Sequence, residues 1–340
     1  MRGQLAWFIV RRLAVSLPLV VGIVFVTFML VRIGGQDPVA LLAGPTASAA
    51  EHAAIRADLG LDRPLLAQFV RYVGKAASGD LGVSWLSTRE VLDEITQRMW
   101  VTLELLVWGV GIGAVVAIPL GIRAAARRGS TFDQVVRAVS LAGFSIPTYW
   151  LGLIAILVFF YLLDLAPAPM GRIDVVITPP ERVTGSYLID GLLAGQSESA
   201  WSALKHLILP VCTIAIIACA PIMKQARAIA AEVGDSEYIR FARASGLGPA
   251  RVRRMVFRNS MVPVLTFVGT ELVGLLGTSS LIELIFSWGG IGQWGLQSIL
   301  NGDFAAIQGY VLFASLLSVA VFIVVDVAVF VLEPRGRERA

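Results

Sequence analysis

The chain alternates between long apolar runs and short charged segments, and six of the runs are long enough to cross a lipid bilayer as helices. A helix rises about 1.5 Å per residue, so about 20 residues are needed to cover the roughly 30 Å hydrocarbon core. The pattern predicts an all-α integral membrane protein with one transmembrane domain. The six expected spans are residues 8–32, 101–122, 138–163, 204–223, 259–283 and 304–332.

The placement of positive charge predicts the orientation of these spans. If both termini lie inside, the inner segments 1–12, 123–137, 224–258 and 333–340 hold 18 of the 28 lysines and arginines, but only six of the 24 acidic residues. Short cytoplasmic loops of membrane proteins carry this excess of positive charge. We therefore expect an N-in, C-in topology with two long outer loops. These loops are residues 33–100 and 164–203.

Composition agrees with a membrane protein and narrows the chemistry. The chain is 56% apolar and its mean hydropathy is +0.77, which is outside the range of ordinary soluble domains. Basic loops beside the spans account for the pI near 9.3 better than nucleic acid does. The two cysteines, Cys212 and Cys219, lie in one apolar run and are expected to be packed side chains rather than a disulfide or a metal site.

The largest inner segment, residues 224–258, contains the most distinctive local pattern. Its sequence predicts a helix from Tyr238, a break near Gly246, and a second helix that begins at Pro249 and enters the membrane. Glycine adopts the left-handed conformation that ends a helix, and proline suits the first helical turn. We expect this structured, basic hairpin to dock a partner on the inner face.

Motifs for energy coupling and catalysis are absent from the sequence. None of the three lysines, Lys75, Lys205 and Lys224, completes a GxxxxGKS/T nucleotide-binding motif. The chain has two histidines, too few for a histidine metal cluster, and no metalloprotease or serine hydrolase motif. We therefore predict no catalytic residue, no metal site and no cofactor bound by this chain. A partner must supply any energy source.

Ionisable residues within the spans are candidates for a transport pathway. Burying a charge in a span costs about 2.5–3.5 kcal/mol, so Glu104, Glu271 and Asp326 should each face protein or water. Glu271 has two interpretations that the sequence leaves open, a pathway residue or a carboxyl hydrogen-bonded between helices. For Asp326 the structural interpretation is favoured. Ser279 and Glu283, farther along the same span as Glu271, complete the candidate pathway set.

A series of short motifs extends over about 300 residues of the chain. The longest are LGLDRPLLAQFVRY (residues 59–72), GDLGVSW (79–85), SIPTYWLGL (145–153) and FSWGGIG (286–292). The segment ARASGL (242–247) lies in the basic hairpin. The shorter ones are the basic-then-apolar start at 8–13, RIGGQDP (32–38), TLEL (102–105), PLGIRAA (119–125), RN (258–259), VP (262–263), GDF (302–304), IQG (307–309) and EPR (333–335).

In this order the motifs resemble the membrane permease subunits of ABC importers for dipeptides, oligopeptides and nickel, specifically the first of the two permeases of the peptide type. Four departures are visible. In the segment that resembles the family's xPGDP motif, Gln36 follows the paired glycines of this chain, and Met99-Trp100 stands where Leu-Pro is usual. Ser287-Trp288-Gly289-Gly290 stands where the family usually has FSxPG, and Glu333 replaces the aspartate of DPR. None of them lies in ARASGL.

The resemblance implies a type I ABC importer permease fold in the cytoplasmic membrane of a prokaryote. It implies a heterodimer with a second homologous permease, two ABC ATPase subunits that bind ATP and Mg²⁺, an extracytoplasmic substrate-binding protein, and contact with membrane lipids but not nucleic acid. It assigns residues 238–257 to the helix that couples the permease to the ATPase. The coupling residues are expected to be Tyr238, Arg240, Ala242, Arg243, Ala244, Gly246 and Leu247.

The hairpin residues agree with this assignment in different ways. Ala242 and Ala244 are small enough to let a partner approach closely, and Gly246 provides the break. The arginines are expected to pair with acidic groups of the partner or with lipid headgroups, although some of them serve only to keep the loop inside.

Other functions remain open at the sequence level. Within the family, nickel chelates and glutathione are alternative substrates to peptides. A stand-alone secondary carrier would need inverted repeats or a midplane ion site, and neither is visible. A membrane enzyme is disfavoured by the missing catalytic motifs.

Overall fold

The computed structural model describes residues 2–33, 39, 43, 47–58 and 60–332. In this part of the chain the only β-structure is one isolated bridge between Val83 and Glu90, so the all-α prediction is confirmed. The helices are α1 (Arg2–Ile33), α2 (Ala49–Asp58), α3 (Leu65–Ala77), α4 (Val91–Ala126), α5 (Thr131–Ser145), α6 (Thr148–Ala155, followed by the π-helical segment Ile156–Leu162), α7 (Tyr187–Leu193), α8 (Ser197–Asp235), α9 (Glu237–Ala244), α10 (Pro249–Ile285), α11 (Ile291–Leu300) and α12 (Phe304–Leu332).

Five of these helices, α1, α4, α8, α10 and α12, are long and apolar enough to cross a membrane. The remaining predicted span, the third in chain order (residues 138–163), is not one straight helix. α5 and the helical segment Thr148–Leu162 meet at an angle of 96°. Ile146 is extended, and Pro147 lacks the N–H that would continue the α5 ladder. The pair counts as a sixth span only if it crosses as a broken helix.

The chain divides into two compact units. The first comprises Met1–Leu5, Trp100–Gln293 and Ala320–Ala340. Its core forms where α8 contacts α4, α5, α7 and α10. Glycines on α4 permit the closest approach to α8: a Cβ at Gly113 would lie 2.8 Å from the Ala215 carbonyl oxygen, and one at Gly121 would lie 2.5 Å from the Met223 carbonyl oxygen. These contacts agree with small residues bringing membrane helices together.

The second unit comprises Ala6–Met99 and Trp294–Val319. An aromatic cluster forms its centre, where the Phe28 and Phe69 rings meet edge to face with centroids 5.5 Å apart. In the same unit the Ser84 hydroxyl donates a 2.6 Å hydrogen bond to Asp303, and the Trp85 and Phe304 rings lie 5.2 Å apart. The motifs GDLGVSW and GDF, far apart in sequence, therefore pack against each other.

Several sequence motifs lie outside the described residues. They are most of RIGGQDP (residues 34–38), the first residue of the 59–72 motif, and EPR with the rest of the predicted inner segment 333–340.

Candidate functional site

The hairpin predicted around Gly246 forms as a short helix, a tight turn and a long helix. α9 begins after Ser236, whose hydroxyl donates a 2.5 Å hydrogen bond back to the Val233 carbonyl at the end of α8. Gly246 has a φ of 76°, in the left-handed region, and Pro249 is the first residue of α10. Both features confirm what the sequence predicts for these two residues.

The turn after α9 is a Schellman motif. The N–H of Leu247 donates to the Ala242 carbonyl at 3.1 Å, and the N–H of Gly246 donates to the Arg243 carbonyl, also at 3.1 Å. These two bonds satisfy the last carbonyls of the helix and require a left-handed residue at the position of Gly246. The turn between α9 and α10 therefore has a defined backbone conformation, which fixes the direction of α9 relative to α10.

α9 has one buried side and one exposed side. Ile239 and Ala242 are buried, and the helix contacts α8 and α10. Tyr238 and Phe241 lie on the exposed side, and Phe241 is 74% exposed. Ala242 therefore packs against the chain itself, and its role in coupling stays a prediction.

The other predicted coupling residues lie at the surface. Arg240, Arg243, Ala244 and Gly246 are exposed, and Leu247 is half-buried. With Tyr238 and Phe241, they form a surface of two aromatic rings and two guanidinium groups, which we call the α9 face. Exposed aromatic and arginine side chains are the residue types that dominate protein–protein binding energy. Phe241 was not among the predicted coupling residues, although its spacing of three from Tyr238 already placed both on one helical face.

Ion pairs hold the segments around α9 in place. Asp133, at the start of α5, is buried and accepts hydrogen bonds of 2.5 and 3.0 Å from the Arg227 guanidinium on α8. Arg128, just before α5, pairs at 2.7 Å with Asp235 at the end of α8. A bidentate arginine–carboxylate pair fixes both distance and orientation. α5 therefore has a defined position against the part of α8 that leads into α9.

The candidate pathway residues fall into different environments along α10. Glu271 is half-buried, and Ser279 is buried with its hydroxyl donating to the Leu276 carbonyl of its own helix at 3.1 Å. Glu283 is fully buried. A pathway role for these residues stays a prediction, but Glu283 does not lie on a surface of this chain.

Glu283 instead connects two distant motifs, TLEL and FSWGGIG. Its carboxylate accepts a 2.6 Å hydrogen bond from the Thr102 hydroxyl and a 2.8 Å hydrogen bond from the N–H of Gln293. The Thr102 hydroxyl in turn accepts from the N–H of Ile291 at 2.9 Å. We call Thr102, Glu283 and the backbone of Ile291 and Gln293 the carboxylate clamp. The carboxylate also satisfies a free N–H at the start of α11.

Glycine is required next to the clamp. A Cβ at Gly290 would lie 2.5 Å from both the Glu283 carboxylate and the Thr102 hydroxyl, and one at Gly292 would lie 2.9 Å from the Ser280 hydroxyl. Trp288, in the same motif, is buried, and its ring N–H donates to the Val101 carbonyl at 3.3 Å. The sequence shows these motifs separately, and only the fold shows that they meet.

The segment before α7 is held by polar contacts of a similar kind. Glu104 accepts a 2.5 Å hydrogen bond from the Ser186 hydroxyl, which also caps α7. The Arg172 guanidinium lies 3.8 Å from the centre of the Tyr187 ring and donates to the Gly185 carbonyl at 2.8 Å. Burial lowers the pKa of Arg172. The Glu104 side chain thus faces protein, as the sequence predicts.

Asp190 organises the turn into α7. Its carboxylate accepts hydrogen bonds from the hydroxyl and N–H of Thr184, both at 2.7 Å, and from the N–H of Gly185 at 3.0 Å. Burial alone would raise the pKa of Asp190, but these hydrogen bonds outweigh it and hold the pKa below its usual value. Asp190 therefore stays ionised at neutral pH as the acceptor of this turn.

Two family models match the chain. Residues 117–338 match the binding-protein-dependent transport system inner membrane component, and residues 5–106 match the N-terminal part of such membrane components. The first match covers the α9 face and the carboxylate clamp's Glu283. The second covers Thr102.

The chain is also similar over nearly its full length to curated transport proteins. It is 40% identical over 331 residues, 97% of each chain, to a probable D,D-dipeptide transport system permease protein of Escherichia coli. It is 39% identical over 335 residues, 98% of this chain and 99% of the relative, to a di/tripeptide transport system permease protein of Pseudomonas aeruginosa. It is 36% identical over 336 residues, again 98% and 99%, to a dipeptide transport system permease protein of Escherichia coli. The chain therefore belongs to the family of binding-protein-dependent transport system inner membrane components, as a multi-pass permease of the ABC transporter type.

Proposed function

We propose that this chain forms, with a second and related permease, the translocation pathway of an ATP-driven importer for dipeptides and oligopeptides. The names of the three relatives, which cover almost the whole chain, support a peptide substrate. Both termini lie in the cytoplasm in this proposal, because 18 of the 28 basic residues then fall in inner segments. An extracytoplasmic binding protein delivers the peptide to the outer loops.

The proposal for energy coupling rests on the α9 face. It combines the 74% exposed ring of Phe241 with Tyr238 and two arginines on a helix whose direction is fixed by the turn at Gly246. Exposed aromatic side chains that lie together and are bordered by polar residues mark protein–protein interaction sites. Two ABC ATPase subunits, which bind ATP and Mg²⁺, dock on this face and on the equivalent face of the second permease.

The contacts of α9 explain how docking moves the spans. α9 contacts both α8 and α10, so a displacement imposed on α9 acts on two membrane-spanning helices. The buried Asp133–Arg227 pair passes the displacement of α8 to α5. Closure of the ATPases on ATP then favours one of two packings of the spans, and hydrolysis restores the other.

The test is the substitution Phe241→Ala in the purified complex. Truncating a central aromatic residue of an interface costs about 2 kcal/mol or more, so ATPase affinity should fall about thirtyfold. Peptide-stimulated ATP hydrolysis should fall with it, while membrane insertion is unchanged. Binding is measured by titrating the ATPase subunits onto the reconstituted permease pair.

Phe144→Ala is the matched control, since Phe144 on α5 is 69% exposed but lies in the predicted third span and not on the α9 face. This substitution should leave ATPase binding at the wild-type level. Wild-type affinity and wild-type stimulated hydrolysis in Phe241→Ala would remove α9 as the docking element.

A further inference from the structure

A wide cleft opens beside α9, between the ends of α4 and α8 and the start of α10. Its volume is about 1200 Å³. Six arginines from three segments of the chain line it: Arg123, Arg127, Arg128, Arg243, Arg253 and Arg254. Because they come from segments far apart in sequence, the fold itself creates this concentration of positive charge.

The charge in the cleft is largely uncompensated. Asp235 is the one acidic residue among the lining residues, and it pairs with Arg128. The other five arginines are exposed and form no salt bridge with any carboxylate in the described part of the chain. Like charges gathered in a concave surface repel one another and raise the local concentration of anions. The cleft is therefore suited to an anion that accepts several hydrogen bonds.

Guanidinium groups match phosphate better than a simple point charge would. Their planar N–H donors bind two oxygens of a phosphate at once. Arg253 and Arg254 lie on α10, whereas Arg123 lies in the last turn of α4 and Arg127 directly follows that helix. A phosphate in the cleft can therefore accept hydrogen bonds from arginines of both segments.

The cleft also has an apolar part, which favours an amphiphilic ligand over a free ion. Ile122, Val252, Val256 and Phe257 line it together with the arginines. Arg123 follows the uncharged run of α4 directly, so in the proposed orientation this end of the cleft lies at the edge of the hydrocarbon layer. The apolar wall would lie near the membrane and the guanidinium groups farther from it. A phospholipid has the same order, with its acyl chains in the membrane and its headgroup outside the hydrocarbon layer.

We infer that the cleft binds the phosphodiester headgroup of an anionic phospholipid from the inner leaflet. The inference rests on the inward orientation of the proposed function, but not on ATPase docking or on the peptide substrate. Bound lipid would neutralise the arginines between the end of α4 and the start of α10, next to the α9 face.

Lipid binding can be measured directly on the full-length chain in a complex with the second permease, before ATPase subunits are added. Phosphatidylglycerol with a fluorescent label on its acyl chain is titrated into the complex in neutral detergent, and the anisotropy of the label reports binding. Phosphatidylcholine with the same label is the neutral control. Phosphatidylglycerol should bind, and phosphatidylcholine should bind much more weakly.

Two double variants remove arginines from different segments of the cleft lining. Arg253→Gln with Arg254→Gln, and separately Arg123→Gln with Arg127→Gln, should each weaken phosphatidylglycerol binding about thirtyfold, since each arginine near a membrane surface contributes about fivefold. Two double variants guard against the failure of one to fold. Arg251→Gln with Arg258→Gln is the matched control, because both residues are exposed on α10 but do not line the cleft.

The possible outcomes separate the sources of the anion. Loss of binding in both cleft variants, with wild-type binding in the control variant, supports the inference. Equal binding in all variants overturns it. Displacement of the lipid by millimolar inorganic phosphate overturns the assignment to a lipid in favour of a free anion. Displacement by the ATPase subunits overturns it in favour of a protein interface. Peptide uptake plays no part in these measurements, so their failure leaves the proposed function standing.

Discussion

Glu271 and Glu283 lie on the same helix, yet their surroundings differ. Glu283 is fully buried and accepts hydrogen bonds from Thr102 and from the N–H of Gln293, whereas Glu271 is half-buried. A buried carboxylate with defined donors contributes to a fixed structure. A partly exposed carboxylate within a span is the better candidate for contact with a passing substrate.

Removal of the Glu283 carboxylate should destabilise the protein. Glu283→Ala leaves the Thr102 hydroxyl and the N–H of Gln293 without their acceptor, at about 1–3 kcal/mol for each buried group. The thermal unfolding midpoint of the purified complex in detergent should fall by several degrees. Glu271→Ala should leave that midpoint nearly unchanged and alter the kinetics of peptide uptake instead. Equal midpoints for the two variants would contradict the distinction between them.

At the scale of elements, the basic hairpin formed by α9 and α10 could be predicted almost completely from sequence. Gly246 and Pro249 have local conformational preferences that do not depend on the rest of the fold. The direction in which Ala242 faces could not be settled from its size alone. That direction depends on how α9 packs against α8 and α10, and the pattern of Ile239 with Ala242 was the available signal.

The bend of the third span and the carboxylate clamp differ in whether local sequence could predict them. Pro147 and the extended Ile146 give a local reason for the break, so the bend could have been predicted from sequence. The contact between Thr102 and Glu283 could not, because it depends on the packing of two helices from distant parts of the chain. Motif order indicates which segments matter, and the fold determines which of them touch.

Substitutions at Gly246 should test whether the direction of α9 matters for coupling. A Cβ at Gly246 would meet no atom within 4 Å, so the cost of a side chain comes from the φ of 76° alone. Gly246→Val should reorient or fray the end of α9 and strongly reduce peptide-stimulated ATP hydrolysis. Gly246→Asn, which tolerates this conformation, should retain most of the hydrolysis.

The two Gly246 variants should both insert into the membrane in normal amounts, since the glycine lies outside the spans. Hydrolysis in Gly246→Val as strongly stimulated as in wild type would mean that a fixed turn is not needed for coupling.

At the scale of the whole molecule, the distribution of arginine predicts which face meets the ATPases. A cysteine introduced at Arg254, in a background lacking Cys212 and Cys219, should react with a membrane-impermeant maleimide only after the cells are opened. A cysteine at Val176, which is exposed between the third and fourth spans, should react in intact cells. The reverse pattern would contradict the N-in, C-in orientation and place the α9 face outside.

The central claim is that this chain imports peptides with energy from partner ATPases. The most direct measurement is uptake of a radiolabelled dipeptide by proteoliposomes that contain this chain, the second permease and the two ATPase subunits, with the binding protein added on the outer side. Accumulation should require ATP on the ATPase side, should require the binding protein, and should fall strongly in Phe241→Ala. It should persist when ionophores collapse ion gradients. Accumulation that proceeds without ATP or ATPase subunits and is abolished by ionophores would contradict the account and identify a secondary carrier.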